Sequence, residues 1–128
     1  MKITHVAIWT EDIDAMKAFY ETYFDGKAGE KYVNKHKGYT SYFIYFDGDV
    51  SLELMHRQDI PNENKLRKEY LGITHLAFSV GSKEKVEELT ARLRQDAYNI
   101  IGEPRLSGDG YYESVVADPE NNRIEILA

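Results

Sequence analysis

The stretches "ITHVAI", residues 3–8, and "ITHLAF", residues 73–78, decide how this chain is read. Each places a histidine third in a short alternating run, and His5 and His75 are two of only four histidines in 128 residues. Laying residues 3–56 against 73–128 extends the likeness. Each half continues into a helical pattern, then into extended stretches rich in Tyr or β-branched residues. Each closes on an apolar run carrying one glutamate, "VSLELM" around Glu53 and "NRIEIL" around Glu125. His5 precedes Glu53 by 48 positions and His75 precedes Glu125 by 50. A repeat of this length is one supersecondary unit used twice.

The helices are legible from apolar spacing. After Asp12, the residues Ile13, Met16, Phe19, Tyr20, Tyr23 and Phe24 form one face. In the second half Ser82 is the expected N-cap, and Val86, Leu89, Leu93 and Ala97 form the matching stripe. Glu84, Glu87 and Glu88 sit early and Arg92 and Arg94 late, as the helix dipole favours. Asp25-Gly26 and Gly48 punctuate the first half; Gly102, Pro104, Gly108, Gly110 and the turn "DPENN" punctuate the second. Each half therefore reads as strand, helix and three strands. Residues 57–71, "RQDIPNENKLRKEYL", are polar, hold the chain's first proline and read as a linker with one short helix. The expectation is one domain over 1–128, made of modules 1–56 and 72–128 joined by 57–71.

Strand parity sorts the side chains, because alternate residues face opposite ways. Thr4, Val6 and Ile8 share one face, and Ile3, His5, Ala7 and Trp9 the other. Likewise Leu76 and Phe78 oppose His75 and Ala77. Leu52 and Leu54 oppose Glu53, and Ile124 and Ile126 oppose Glu125. The large apolar sets are expected to pack on the helices, which turns His5, Glu53, His75 and Glu125 to the helix-free face. Two concave sheets facing each other would bring the four together. Two imidazoles and two carboxylates suit a borderline divalent ion such as Zn²⁺, Ni²⁺, Co²⁺, Fe²⁺ or Mn²⁺. A lone strand histidine is more often structural than a ligand. A glutamate between leucines is costlier to bury unless it is paired. Recurrence of both at matching places favours a metal site. His36 and His56 have no repeat partner and read as surface residues.

Composition narrows the function. Sixteen basic against twenty-two acidic residues give a formal net charge of −6, with no basic block, which argues against nucleic acid as a partner. No cysteine is present, so disulfides, thiolate metal sites and cysteine nucleophiles are excluded. The N-terminus turns acidic too soon for a signal peptide, and no apolar run nears the roughly 18 residues of a membrane span. A cytoplasmic protein with no membrane partner is expected. Ten tyrosines would enrich the lining of any pocket.

"ITHVAI", "SLELM", "ITHLAFSV" and "GDGYYESVVADPENNRIEI" resemble the vicinal oxygen chelate superfamily over essentially the whole chain. That superfamily includes glyoxalase I, extradiol dioxygenases, methylmalonyl-CoA epimerase and the fosfomycin- and bleomycin-resistance proteins. The resemblance implies an α+β fold of two βαβββ modules whose curved mixed sheets surround a metal site. The modules pair within one chain or between chains, and a homodimer is expected. Among the branches, glyoxalase I resembles this chain most in its ligand order, which falls here on His5, Glu53, His75 and Glu125. The resemblance implies one divalent ion per site, with Ni, Co or Zn ahead of Fe or Mn. It also implies a lactoylglutathione lyase-like reaction on an α-hydroxy carbonyl or thiohemiacetal. Such a reaction moves a proton between adjacent carbons with Lewis-acid help from the ion. Glu53 or Glu125 would be the base, and family analogy favours Glu125.

Substrate recognition departs from that pattern. Bacterial glyoxalase I carries an Arg four residues after its first ligand, where this chain has Trp9, and a Trp pairs no carboxylate. The Asn that the family often carries beyond the second ligand is replaced in "ELMHR", which offers His56 and Arg57. Trp9, Phe43 or Tyr42, Tyr45, and one of Tyr111 and Tyr112 would form an aromatic pocket, with Arg57, Lys65, Arg67, Lys68 or Arg105 as local positive charge. Two other readings stand beside a small-molecule isomerase. One is an Fe²⁺ ring-cleaving dioxygenase, and the other a non-catalytic binder of aromatic compounds of the drug-resistance type.

Overall fold

A computed structural model of the chain describes residues 1–62, 72–108 and 110–128. It contains two compact units, Met1–Leu66 and Arg67–Ala128. Residues 63–71, most of the expected linker with its short helix and with Lys65, Arg67 and Lys68, lie outside the described residues.

The N-terminal unit runs β1 (His5–Trp9), α1 (Ile13–Tyr23), β2 (Lys27–Ala28), β3 (Tyr32–Asn34), β4 (Tyr39–Tyr45) and β5 (Ser51–Arg57). Its sheet has the order β1-β5-β4-β2, with β3 also on β4, and only the β1–β5 pairing is parallel. The first of the three strands expected after the helix is thus broken in two. Ala28 pairs with Ile44 and Tyr32 with Ser41, so three outer residues oppose two inner ones. That is the count of a β-bulge, and it bends the outer strand. Lys31, inside the bulge, leaves the ladder and its Nζ reaches Asp14 of α1 at 2.9 Å.

Helix α1 starts at Asp12, whose Oδ1 accepts from the Ala15 backbone at 2.9 Å and satisfies one orphan amide. Its apolar stripe buries Ile13, Met16, Phe19 and Tyr20, against a sheet face carrying Ile44, Leu52 and Leu54. Each such side chain, fully buried, contributes about 1.5–3 kcal/mol. The helix ends where Asp25 turns left-handed at φ 53° and the Gly26 amide donates to Tyr20 O at 3.1 Å. Gly26 has almost no room: a Cβ there would lie 2.6 Å from Ile44 Cγ2 and 3.0 Å from Tyr20 O.

The C-terminal unit runs β6 (His75–Ser79), α2 (Lys83–Gln95), β7 (Ile100–Leu106), β8 (Tyr112–Ala117) and β9 (Arg123–Leu127). Its sheet has the order β6-β9-β8-β7, with β6 parallel to β9. Pro104 is tolerated because β7 is an edge strand, and its ladder shifts register around Gly102. Ser82 caps α2 by accepting from Lys85 N at 3.3 Å. Val86 and Leu93 are buried as the spacing predicts, but Ala97 is not part of the stripe. It lies past the helix end, exposed, at φ 64°. Thr90 is the third buried residue. Its hydroxyl donates to Val86 O at 2.6 Å and meets Ser114 Oγ at 2.7 Å, so a polar pair sits inside the core fully bonded. The "DPENN" turn is built round buried Asp118, which accepts from Glu120 N, Asn122 N and Asn122 Nδ2 at 3.0, 2.8 and 2.6 Å.

Among the described residues no helix is long and apolar enough to cross a membrane. Gly26→Ala is expected to lower stability by about 1–3 kcal/mol through overpacking. Gly108→Ala, whose added Cβ meets nothing within 4 Å, should be near neutral, and urea titration of both variants checks the contrast.

Candidate functional site

The parallel pairing of the first and last strands positions one histidine and one glutamate in each unit. In the N-terminal unit His5 lies opposite Ser51 and Ala7 opposite Glu53. In the C-terminal unit His75 lies opposite Arg123 and Ala77 opposite Glu125. The register is the same in both: each His stands one pleat before its Glu, on the same face. An alanine beside each Glu leaves the carboxylate room to turn toward the ring.

His5 Nε2 lies 3.8 Å from Glu53 Oε2, and His75 Nε2 lies 3.1 Å from Glu125 Oε2. The carboxylates are mostly buried, at 15% and 22% side-chain exposure, while the imidazoles are at 43% and 38%. Ligand bonds of about 2.0–2.2 Å place neighbouring donor atoms roughly 3.0–3.4 Å apart. The C-terminal pair already meets that spacing, and the N-terminal pair needs a closure of about half an ångström. Imidazole nitrogen with carboxylate oxygen is a donor set suited to a borderline divalent ion. Within each unit, among the described residues, no third His, Cys, Asp or Glu joins the pair.

An aromatic wall surrounds the N-terminal pair. Phe43 lies opposite Glu53 on β4, and its ring meets the His5 ring edge-on at 5.4 Å. Tyr45, exposed at the end of β4, stacks on Phe43 at 6.3 Å. Trp9, 42% exposed, packs edge-on against Tyr39 at 6.1 Å and carries the Arg57 guanidinium 5.5 Å from its ring centre. Asp59 pairs with that guanidinium, and a surface recess of about 460 Å³ opens beside it among Lys37, Gly38 and Gln58. Of the two β4 candidates, Phe43 faces the pair. Tyr42 points to α1, where its hydroxyl donates to Asp14 at 3.1 Å and Lys17 and Lys31 flank its ring.

Sequence reasoning missed Tyr39. Its hydroxyl donates to Glu53 Oε1 at 2.9 Å. Burial pushes this phenol up from its ordinary 10.0, a side-chain bond with Ser41 opposes that, and the Glu53 carboxylate raises it further, so it stays a donor. Parity along β4, counted back from Phe43, would have found it.

The C-terminal pair has different surroundings. Val115 lies opposite Glu125 where Phe43 stands in the other unit. Tyr112 faces α2 and donates to Glu87 at 2.7 Å. Tyr111 precedes β8, more than half exposed, in a turn whose Ser107 hydroxyl bonds both its N–H and its carbonyl. The structure therefore does not bring Tyr111 to the His75–Glu125 pair within that unit. Glu113, buried on the same face as Glu125, accepts from Arg105 at 3.2 Å. His56 turns to the opposite face from Glu53, half-buried, with Nδ1 2.9 Å from Thr10 O, and His36 is exposed in a turn.

This chain belongs to the Glyoxalase/Bleomycin resistance protein/Dioxygenase superfamily, whose family model matches residues 2–126. Uncharacterized protein YqjT of Bacillus subtilis (strain 168) is 24% identical over 127 residues, covering 97% of this chain and 96% of the relative. The trypanothione-dependent glyoxalase I of Leishmania major superposes with a TM-score of 0.77 at 25% identity, over 99% of this chain and 86% of that one. Glyoxalase I of Zea mays superposes with a TM-score of 0.79 at 20% identity, over 98% of this chain but only 44% of the maize chain.

Arg105→Ala would strand the Glu113 carboxylate and is expected to cost roughly 1–3 kcal/mol. Adding Glu113→Gln should recover part of that loss in a denaturant titration.

Proposed function

We propose that this chain is a metal-dependent, glyoxalase I-type lyase or isomerase working as a cytoplasmic homodimer. In this reading His5, Glu53, His75 and Glu125 supply the ligands of one divalent ion, with Ni, Co or Zn ahead of Fe or Mn. The observation that carries it is the shared register, which sets a His and a Glu at the same spacing on the helix-free face of both repeats. Two unrelated structural needs would not produce that twice. The Leishmania relative, at 25% identity and described as a glyoxalase I, supports the reaction class.

When bound, the ion supplies Lewis-acid polarisation of two adjacent substrate oxygens. Glu125 takes a proton from the hydroxyl-bearing carbon and returns it to the neighbouring carbonyl carbon, while the hydroxyl proton passes to the adjacent oxygen, so the net change is an isomerisation. Trp9, Tyr45 and Phe43 hold the substrate's apolar part and exclude water. Trp9 offers no partner for a glutathione carboxylate. Arg57, whose guanidinium lies over the Trp9 ring, is a cation beside that position and takes the substrate's acidic group. The aromatic wall on the N-terminal unit favours a second reading, a binder of flat aromatic compounds without catalysis.

Elemental analysis of protein purified without a histidine tag separates the two. One divalent ion per chain is expected. If none is found, and Ni²⁺, Co²⁺ and Zn²⁺ all fail to bind, the enzyme reading fails and the binder stands. Glu125→Gln should lose turnover by about 100-fold or more with its melting curve unchanged. Trp9 is the single tryptophan and shares a face with His5, so paramagnetic Co²⁺ should quench intrinsic fluorescence where Zn²⁺ does not.

A further inference from the structure

The two carboxylates of the proposed centre are held differently. The Tyr39 hydroxyl occupies Glu53 Oε1 at 2.9 Å, which leaves Oε2 as the oxygen facing His5 Nε2. Tyr39 is itself braced, with its ring against Trp9 at 6.1 Å and Tyr32 at 6.0 Å. We infer that Tyr39 is a positioning residue that locks Glu53 as a fixed ligand, a restraint that no described hydroxyl of the C-terminal unit places on Glu125. This rests on the metal-site reading above.

The repeat itself makes the comparison fair. Phe43 lies opposite Glu53, and Tyr39 is four residues before it on β4. Val115 lies opposite Glu125, and four residues before it is Tyr111. The same residue type occupies the same place in both repeats, but only one copy is delivered to its glutamate. Strand β4 already begins at Tyr39, which pairs with Arg57 on a β5 that runs four residues past Glu53. Strand β8 begins only at Tyr112, and β9 closes at Leu127, two residues past Glu125. Tyr111 is therefore outside the ladder and its backbone is tied to Ser107. Among the described residues of the C-terminal unit, no hydroxyl donates to Glu125.

The two restraints suit two tasks. A carboxylate with one oxygen hydrogen-bonded and the other aimed at the site loses little further freedom on binding an ion, and such supporting bonds strengthen ligation. A carboxylate that must also take up a proton needs freedom to turn, and a second tether would oppose that.

The test is a titration of the full-length apo protein with Co²⁺ alone, following both the dissociation constant and the visible Co²⁺ absorption. Tyr39→Phe removes one oxygen and keeps the ring contacts. It should weaken Co²⁺ binding by about 10–100-fold and change the absorption bands. Loss of one bond to a mostly buried carboxylate should lower the apo melting curve modestly, so the altered Co²⁺ bands at saturation, which a merely structural loss would leave unchanged, separate positioning from a structural role. Tyr111→Phe should stay within about twofold of the parent, since it bonds neither ligand. The inference is overturned if Tyr39→Phe binds Co²⁺ within about twofold of the parent, or if both variants weaken binding alike. A parent protein that takes up no Co²⁺ is a different failure, because it removes the metal-site reading and this inference with it.

Discussion

The parallel pairing of each unit's first strand with its last is the constraint on which the rest depends. Without it, His5 and Glu53 are separated by 48 positions of chain and have no reason to meet. With it, backbone bonds fix their offset at one pleat, and the side-chain period of two sends both to the face that the helix does not cover. A slip of one residue would turn Glu53 into the Leu52 and Leu54 layer and expose those leucines. The buried apolar layer under α1 therefore enforces the geometry of the polar pair above it. The same holds for Glu125 between Ile124 and Ile126 under α2.

The repeats share this skeleton and differ in what they hang on it. The N-terminal face carries Phe43, Tyr45, Tyr39, Trp9 and Arg57, and the C-terminal face carries Val115, Glu113 and Arg105. Aromatic rings near a carboxylate offer apolar contact and, through Tyr39, a hydrogen bond that leaves the charge in place. The Arg105–Glu113 pair does the opposite work, satisfying a second buried carboxylate internally. One repeat thus presents a wall suited to an apolar group, while the other keeps its charges matched to each other.

Much of this is legible in the chain because parity and helical spacing act on neighbouring residues. Parity alone assigns His5, Glu53, His75 and Glu125 to one kind of face, and Trp9 with them. The caps Asp12 and Ser82 are equally local, since their side chains bond amides three residues away. The exceptions have causes that periodicity does not register. Thr90 fits the helix interior because Ser114, 24 positions on, shares its hydroxyl bond. Ala97 keeps the spacing of the stripe but follows a helix that has ended. The outer strand breaks between Ala28 and Tyr32 through a one-residue bulge, which leaves no mark in composition.

Tyr39 and Tyr111 mark the boundary between the two kinds of knowledge. By itself the sequence determined that the chain is one unit used twice, and which side chains share a face, because strand period and repeat spacing are properties of local order. It also put a tyrosine at the same repeat position in both halves. Only the tertiary structure decided that Tyr39 reaches Glu53 while Tyr111 stays in a turn. That outcome depends on where β4 and β8 begin to pair and on how far β5 and β9 continue past the glutamates. Those limits are set by cross-strand hydrogen bonds between distant segments, and no window of neighbouring residues contains them.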